Sequence, residues 1–203
     1  MTVIVAKQGL SILSTYAIFI GEFYSGLGVL WVILAFAGFV VLGKRVFTLL
    51  NGLKDAILLA FSTASSEAAY PRTMLELERF GCKDKIVSFV LPLGYSFNLD
   101  GSMMYMTFAS LFIAQAYGIH LTFDQQISML LILMLTSKGI AGVPRASLVV
   151  IAGTIASFNI PEAGLALIIG IDPLLDMGRS ATNVIGNAMA TAVVSKWEGE
   201  LKS

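Results

Sequence analysis

An apolar stretch without an Asp, Glu, Lys or Arg runs from Phe23 to Gly43, 21 residues. A helix crossing the hydrocarbon core of a bilayer needs about 20 such residues. This stretch therefore predicts a spanning helix, with Trp31 and several Phe on its surface. A second charge-free run covers Gly101–Phe123, and upstream it continues through Ile86–Leu99 with Asp100 as the single interruption. That pattern predicts one long span broken at Asn98-Leu99-Asp100-Gly101. The other apolar runs are short: Ala56–Ser66 has 11 residues, Gln125–Ser137 has 13 and Ala146–Pro161 has 16. Runs of about 10–14 residues suit segments that dip into a membrane and return.

The breaks between the short runs are alike. Ser62–Arg72 and Thr136–Ser147 are both small-residue runs leading into an X-Pro-Arg step. Gly and Pro let a backbone leave helical geometry and approach a ligand. Such backbone survives at membrane depth only when packed in protein or lining an aqueous cavity. The expected fold is an all-α integral membrane protein, with transmembrane helices plus two re-entrant helical hairpins in an inverted repeat. Its parts are hairpin 1 at about 54–80, a broken span at about 84–118, hairpin 2 at about 124–160 and a polar span at about 163–197. Corresponding interrupted helices in two halves are the sequence mark of a secondary transporter's binding site. Lys and Arg placement sets orientation. Lys44, Arg45 and Lys54 precede the first hairpin and Arg79, Lys83 and Lys85 follow it, so both its ends face the cytoplasm. The ends of the second, Tyr117–Asp124 and Ser157–Ala163, lack Lys and Arg and face outside; Lys196 and Lys202 return the C-terminus inside. The N-terminus lacks the basic region and cleavage site of a signal peptide.

Composition sharpens this picture. Hydrophobic residues make up 57% of the 203 residues and charged ones only 13%, against roughly 25% charged in soluble domains. Thirteen Lys and Arg balance thirteen Asp and Glu, which leaves no net field for a nucleic acid. Cys82 and His120 stand alone of their kinds and read as a loop cysteine and an interfacial histidine. No nucleophile–base pair, phosphate loop or metal cluster suggests an enzyme.

The chemistry concentrates in the last span. Asp172, Asp176, Arg179, Asn183 and Asn187 are spaced 4, 3, 4 and 4, which places them on one helical face. Charges at mid-bilayer cost a few kcal/mol even on mild scales. Arg179 offers a planar fork for a carboxylate, Asp176 an acceptor for an ammonium, and Asn183 and Asn187 neutral oxygens for a hard cation; an Asp–Arg pair that only fixes packing is the alternative. An unwound turn at Asn98–Asp100 exposes carbonyls able to ligate a cation, or else is a kink with a satisfied Asp. Lys138 and Arg145 suit snorkelling. Glu67 reads either as a helix cap or as a desolvated proton carrier. Glu22, Glu76, Glu78, Glu198 and Glu200 read as solvated.

The segments STASSEAAYPRTM, SFNLDGS, TSKGIAGVPRAS and DPLLDMGRSATNVIGN resemble, in the same order, the dicarboxylate/amino acid:cation symporters, closest to bacterial proton/sodium-glutamate and aspartate members. The resemblance covers residues 56–196 almost continuously. It implies a substrate site between the hairpin tips, with Arg179 on the side-chain carboxylate, Asp176 on the amino group and Asn183 and Ser102 on the α-carboxylate. Backbone of Ser65, Ser66, Gly142 and Val143 would close around the ligand, with Ser147 nearby. Asp100 with Asn98 would belong to one cation site, and Gly94, Asn98, Asn183 and Asn187 to another. The resemblance further implies a division into residues 1–50, a last scaffold-side or peripheral helix, and residues 51–203, a transport core. Hairpin 2 would be the extracellular gate, and the core would move as an elevator in a homotrimer in a bacterial cell membrane. Coupling ions would be Na+ and/or H+, with no cofactor. Sodium-coupled relatives carry an aspartate at the position of Asn187 and a serine at that of Glu67, which implies more proton and less sodium dependence here. Relatives also carry a scaffold half upstream of the segment matched here. The expected activity is symport of acidic amino acids; C4-dicarboxylate symport and a non-transporting fragment are the alternatives.

Overall fold

The computed structural model describes residues 11–138 and 144–202. Every regular element among them is helical, apart from an isolated antiparallel bridge between Cys82 and Leu201. The described residues open with α1, Ser11–Leu42. This helix already runs through the twelve residues before the expected span, since nothing between Ser11 and Phe23 breaks it; at about 1.5 Å per residue it is longer than the bilayer core is thick. Gly43, at φ +60°, turns the chain into α2, Arg45–Thr63. Only a residue without Cβ adopts that conformation freely. Both α1 and α2 are long and apolar enough to cross a membrane.

Helix α2 folds back through Ala64 and Ser65 onto α3, Ser66–Phe80. The helix that carries the first arm begins at Arg45, upstream of residue 54. The non-helical break is also shorter than the sequence suggested. The Ser65 hydroxyl accepts from the Ala68 amide at 3.3 Å and restarts the helix at once, as an N-cap does. Pro71 lies inside α3.

Helices α4, Asp84–Phe97, and α5, Asp100–Ala116, form the broken span, with Asn98 and Leu99 unwound between them. A second helix pair follows: α6, Phe123–Thr136, opened by a Thr122/Gln125 capping box, and α7, Ala146–Ser157. The expected polar span over 163–197 is divided. A short α8, Leu165–Ile169, is separated at Gly170 and Ile171 from α9, Asp172–Trp197. Pro173 fits the first turn of α9, where its missing N–H removes no helical bond.

Two apolar clusters organise these helices. One joins Phe19, Phe23 and Leu27 of α1 to Tyr105 and Met106 of α5, Met129 and Leu133 of α6, and Ile151 and Ile155 of α7. The other joins Val46, Leu49 and Leu53 of α2 to Leu77 of α3, Leu91 of α4 and Ala188 and Ala192 of α9. Helix α9 runs through both, its first half against the first cluster and its second half against the other. The α1 helix is tied down by polar groups as well. Tyr16 and Tyr24 donate to the carbonyls of Leu167 and Leu174 at 2.7 and 2.6 Å. Trp31, expected on the surface of this helix, is exposed there, and its indole N–H donates to Thr182 Oγ1 at 2.7 Å.

The C-terminal residues close over the α3–α4 turn. Lys202 N–H donates to the Gly81 carbonyl at 3.0 Å and Lys83 N–H to the Glu200 carbonyl at 3.2 Å. Arg45 donates to the carbonyls of Lys202 and Phe80 at 2.8 and 2.9 Å and lies over the Phe80 ring. The loop cysteine is consequently buried. Two acids read as solvated are paired instead: Glu76 with Arg72 and Arg79, and Glu200 with Lys83 and Lys85. Those two ammonium groups hold the Glu200 carboxyl below the usual carboxylate range. A depressed value means that the pair contributes above the ordinary carboxylate pKa and is lost as pH falls through the lowered one. Glu200→Gln removes it at every pH. The Cys82 thiol is therefore expected to react several-fold faster with a small thiol reagent in Glu200→Gln than in the parent at the same pH; equal rates would show that Leu201 packing alone shields it.

Candidate functional site

The polar face of α9 is enclosed on all sides. Asp172, Asp176, Arg179, Asn183 and Asn187 are each at most 1% exposed, and Arg179 is fully buried. Small residues in and around α9 permit this. A Cβ at Gly178 would run into Leu27 and Tyr24 of α1. One at Gly186 would collide with the Asp100 carboxylate, and one at Gly101 with the Arg179 carbonyl and Thr182. Small-residue contacts of this kind let membrane helices approach closely.

At the centre, Arg179 Nε donates to Asp176 Oδ1 one turn away. The remaining guanidinium nitrogens reach Ser102 Oγ and the Ala64 carbonyl, each at 3.4 Å. The other Asp176 oxygen accepts the backbone N–H of Arg145 at 2.8 Å. The turns that precede the second arms of both helix pairs thus meet on one ion pair: the α2–α3 turn presents a carbonyl to the cation, and the chain entering α7 presents an amide to the anion. Both contributing residues hold left-handed backbone, Ala64 at φ 50° and Arg145 at φ 66°. Non-glycine residues there carry strain of about 1–3 kcal/mol, and such strain clusters at ligand sites and switches.

Asn183 is used structurally. Its Oδ1 accepts from the amides of Gly101 and Ser102 at 2.9 and 3.2 Å, and its Nδ2 donates to Ser102 Oγ at 3.0 Å. It therefore satisfies donors at the start of α5 that the broken span leaves without helical partners. One turn on, Asn187 Oδ1 accepts from Asn98 at 3.3 Å and lies against Gly94, where a Cβ would approach it to 2.5 Å. Asn98, Gly94, Asn187 and Asp100 thus gather where α4 unwinds. Ser66 and Ser147 are fully buried, with hydroxyls that make no hydrogen bond among the described residues. Gly142 and Val143 lie outside the described residues. Glu67 is exposed; the Ser65 cap sets the α3 register so that Ser66, Ala69, Thr73 and Leu77 face inward and Glu67 does not. The desolvation expected for it is absent.

Sequence reasoning gave Tyr105 no role and left Asp172 merely on the stripe. Tyr105 donates its hydroxyl to Asp172 Oδ1, and Arg145 Nε lies 3.5 Å from Asp172 Oδ2. Arg145 thus approaches α9 with its guanidinium while most of its side chain stays exposed. The available signal was the spacing of Ser102 and Tyr105, three apart and so on one face of α5.

Polar residues buried on all sides of a helix, beside a broken span and two strained turns, are the construction of a membrane transporter core. The chain belongs to the sodium:dicarboxylate symporter family, whose sequence model matches residues 1–197. It is 56% identical over 158 residues to a proton/sodium-glutamate symport protein of Bacillus caldotenax, covering 78% of this chain and 38% of that protein. It is 54% identical over 156 residues to the proton/glutamate-aspartate symporter of Escherichia coli, covering 77% and 36%. It is 46% identical over 209 residues to a C4-dicarboxylate transport protein of Agrobacterium fabrum, covering 99% and 45%. The chain spans less than half the length of these curated relatives.

The close approach of α5 to α9 yields a prediction. Gly101→Ala forces a methyl against the Arg179 backbone carbonyl, which cannot rotate away. Thermal unfolding in detergent is expected to show a loss of about 1–3 kcal/mol, the usual range for overpacking. An unchanged midpoint would mean that the two helices separate easily.

Proposed function

We propose that this chain is the substrate- and ion-handling half of a secondary symporter for acidic amino acids, glutamate or aspartate, driven by H+ and/or Na+. The observation that carries the reading is the meeting of both turns on the buried Asp176–Arg179 pair. Arg179 takes the substrate's side-chain carboxylate. Asp176 takes its ammonium, and Ser102 with Asn183 the α-carboxylate. Ser65, Ser66 and Ser147 add hydroxyl and backbone groups around it, together with backbone of Gly142 and Val143. Asp100 and Asn98 belong to one coupling-ion site, and Gly94, Asn98, Asn183 and Asn187 to another. Glu67, exposed at the α2–α3 turn, remains a group able to exchange a proton with water, tested by the loss of pH response in Glu67→Gln.

The α2–α3 and α6–α7 pairs are in this reading re-entrant hairpins entering from opposite faces of a cell membrane, as an inverted repeat. The short apolar helices α6 and α7 and the Lys and Arg placement support it. The transport core of residues 51–203, with α1 tied to it through Tyr16, Tyr24 and Trp31, moves as an elevator within a homotrimer whose scaffold lies upstream in the relatives.

A second reading, C4-dicarboxylate symport, is favoured by the Agrobacterium fabrum relative and by one feature of the site. Asp176 is already neutralised by Arg179 and the Arg145 amide, so it repels a substrate lacking an ammonium less than a bare carboxylate would.

The test is Arg179→Ala in the chain joined to a scaffold half. Affinity for aspartate and glutamate is expected to fall by at least tenfold, since losing a charge-assisted bond costs about 1.5–3 kcal/mol or more. Unchanged affinity would remove Arg179 from the site. Competition by succinate as effective as that by aspartate in the parent would select the second reading.

A further inference from the structure

Where α4 ends, its last carbonyls carry the negative end of the helix dipole. The chain then unwinds through Asn98 and Leu99, and Asp100 opens α5 with a carboxylate. A break of this kind in a span suits a hard cation. A cation is already present. Lys138, just beyond α6, donates its Nζ to the Phe97 carbonyl at 2.6 Å, across 41 residues of sequence. Asp100 lies within electrostatic reach of the same ammonium. The contact joins the second helix pair to the broken span, so it is not a helix capping its own end.

We propose that the Lys138 ammonium is a tethered cation that occupies the position a coupling cation would take at the carbonyl end of α4. Lys138 thereby determines how many external ions this site accepts. The inference rests on the symport reading and deepens it: one positive charge at the unwound turn is supplied by the protein and travels with the α6–α7 pair. Another cation at the same carbonyls would be repelled by the ammonium at short range. Removing the charge while leaving the carbonyls and Asp100 in place should open the site to sodium. Lys138 is exposed and outside the helices, so truncating it removes little packing.

The experiment measures thermal unfolding of the purified chain in detergent, with NaCl exchanged for choline chloride at constant ionic strength. Parent, Lys138→Gln, Lys138→Met and Lys138→Arg are compared. A ligand that binds only the folded state raises the midpoint with its concentration. Lys138→Gln and Lys138→Met are expected to gain a saturable, sodium-specific rise of at least about 2 °C over the parent's response. Lys138→Arg keeps a charge there and is expected to respond like the parent. An equal sodium response in the parent and in both neutral variants would overturn the proposal. So would a lowered midpoint in those variants without a sodium-dependent recovery, or loss of cooperative unfolding that sodium does not restore, since each marks Lys138 as only a stabilising cap. No acidic substrate is present, so the outcome is independent of the Arg179 experiment.

Discussion

The structure depends on keeping an ion pair buried on α9. Asp176 and Arg179 are buried, and a buried pair stabilises only when its geometry is good and its remaining polar atoms have partners. That requirement reaches well beyond the two residues. Arg179 needs oxygens from Ser102 and from the α2–α3 turn, and Asp176 needs a second donor, found in the Arg145 backbone. For those groups to arrive, α5 and both turns must lie against α9 closer than large side chains allow. Gly101, Gly178 and Gly186 follow from that demand, because a Cβ at each meets a neighbouring helix. The two apolar clusters then hold the frame from either side, so that the polar centre is positioned by packing rather than by its own modest attraction.

The same demand explains why a span is broken where it is. Interrupting a helix leaves N–H groups at the new start and carbonyls at the old end without partners. Here each set is met by a side chain from a different element. Asn183 of α9 accepts from the opening amides of α5, and Lys138 donates to the closing carbonyl of α4. Asn187 and Asn98 bridge the gap between them. The break is thus a polar junction with groups at both of its ends held by side chains from other elements.

The α-helical architecture, the broken span and the polar stripe were legible because they rest on local signals: charge-free length, a run of Asn, Asp and Gly, and spacing near 3.6. The one-sided periodicity of Asp172, Asp176, Arg179, Asn183 and Asn187 survived intact. Details set by tertiary contact were not legible. Trp31 is on the surface as read, but its hydrogen bond depends on Thr182, which α9 brings opposite it. Glu67 looks desolvated in a small-residue run, but the Ser65 cap sets a register that turns it outward. The division at Gly170 and Ile171 does carry marks, Gly170 before it and Asp172-Pro173 after it, but the stripe that continues from Asp172 made the segment read as one span. The acceptors of Arg145 and Lys138, 27 and 41 residues away in sequence, were not legible either.

The arrangement of Asp176 bears on how binding at this site is linked to the rest of the protein. In this structure one of its oxygens is held by Arg179 and the other by the Arg145 amide. Under the proposed function, an acidic amino acid brings both an ammonium for Asp176 and a carboxylate for Arg179. It therefore replaces the internal pair with two external ones and leaves neither buried charge uncompensated. A substrate without the ammonium can take Arg179 only while Asp176 keeps its hold on the Arg145 amide. The two substrate classes thus differ in what they do to the chain entering α7, and a ligand shifts a conformational balance only through such differential contacts. Selectivity and the position of that turn are consequently one quantity read at two places, with the strained backbone at Arg145 as the element both depend on.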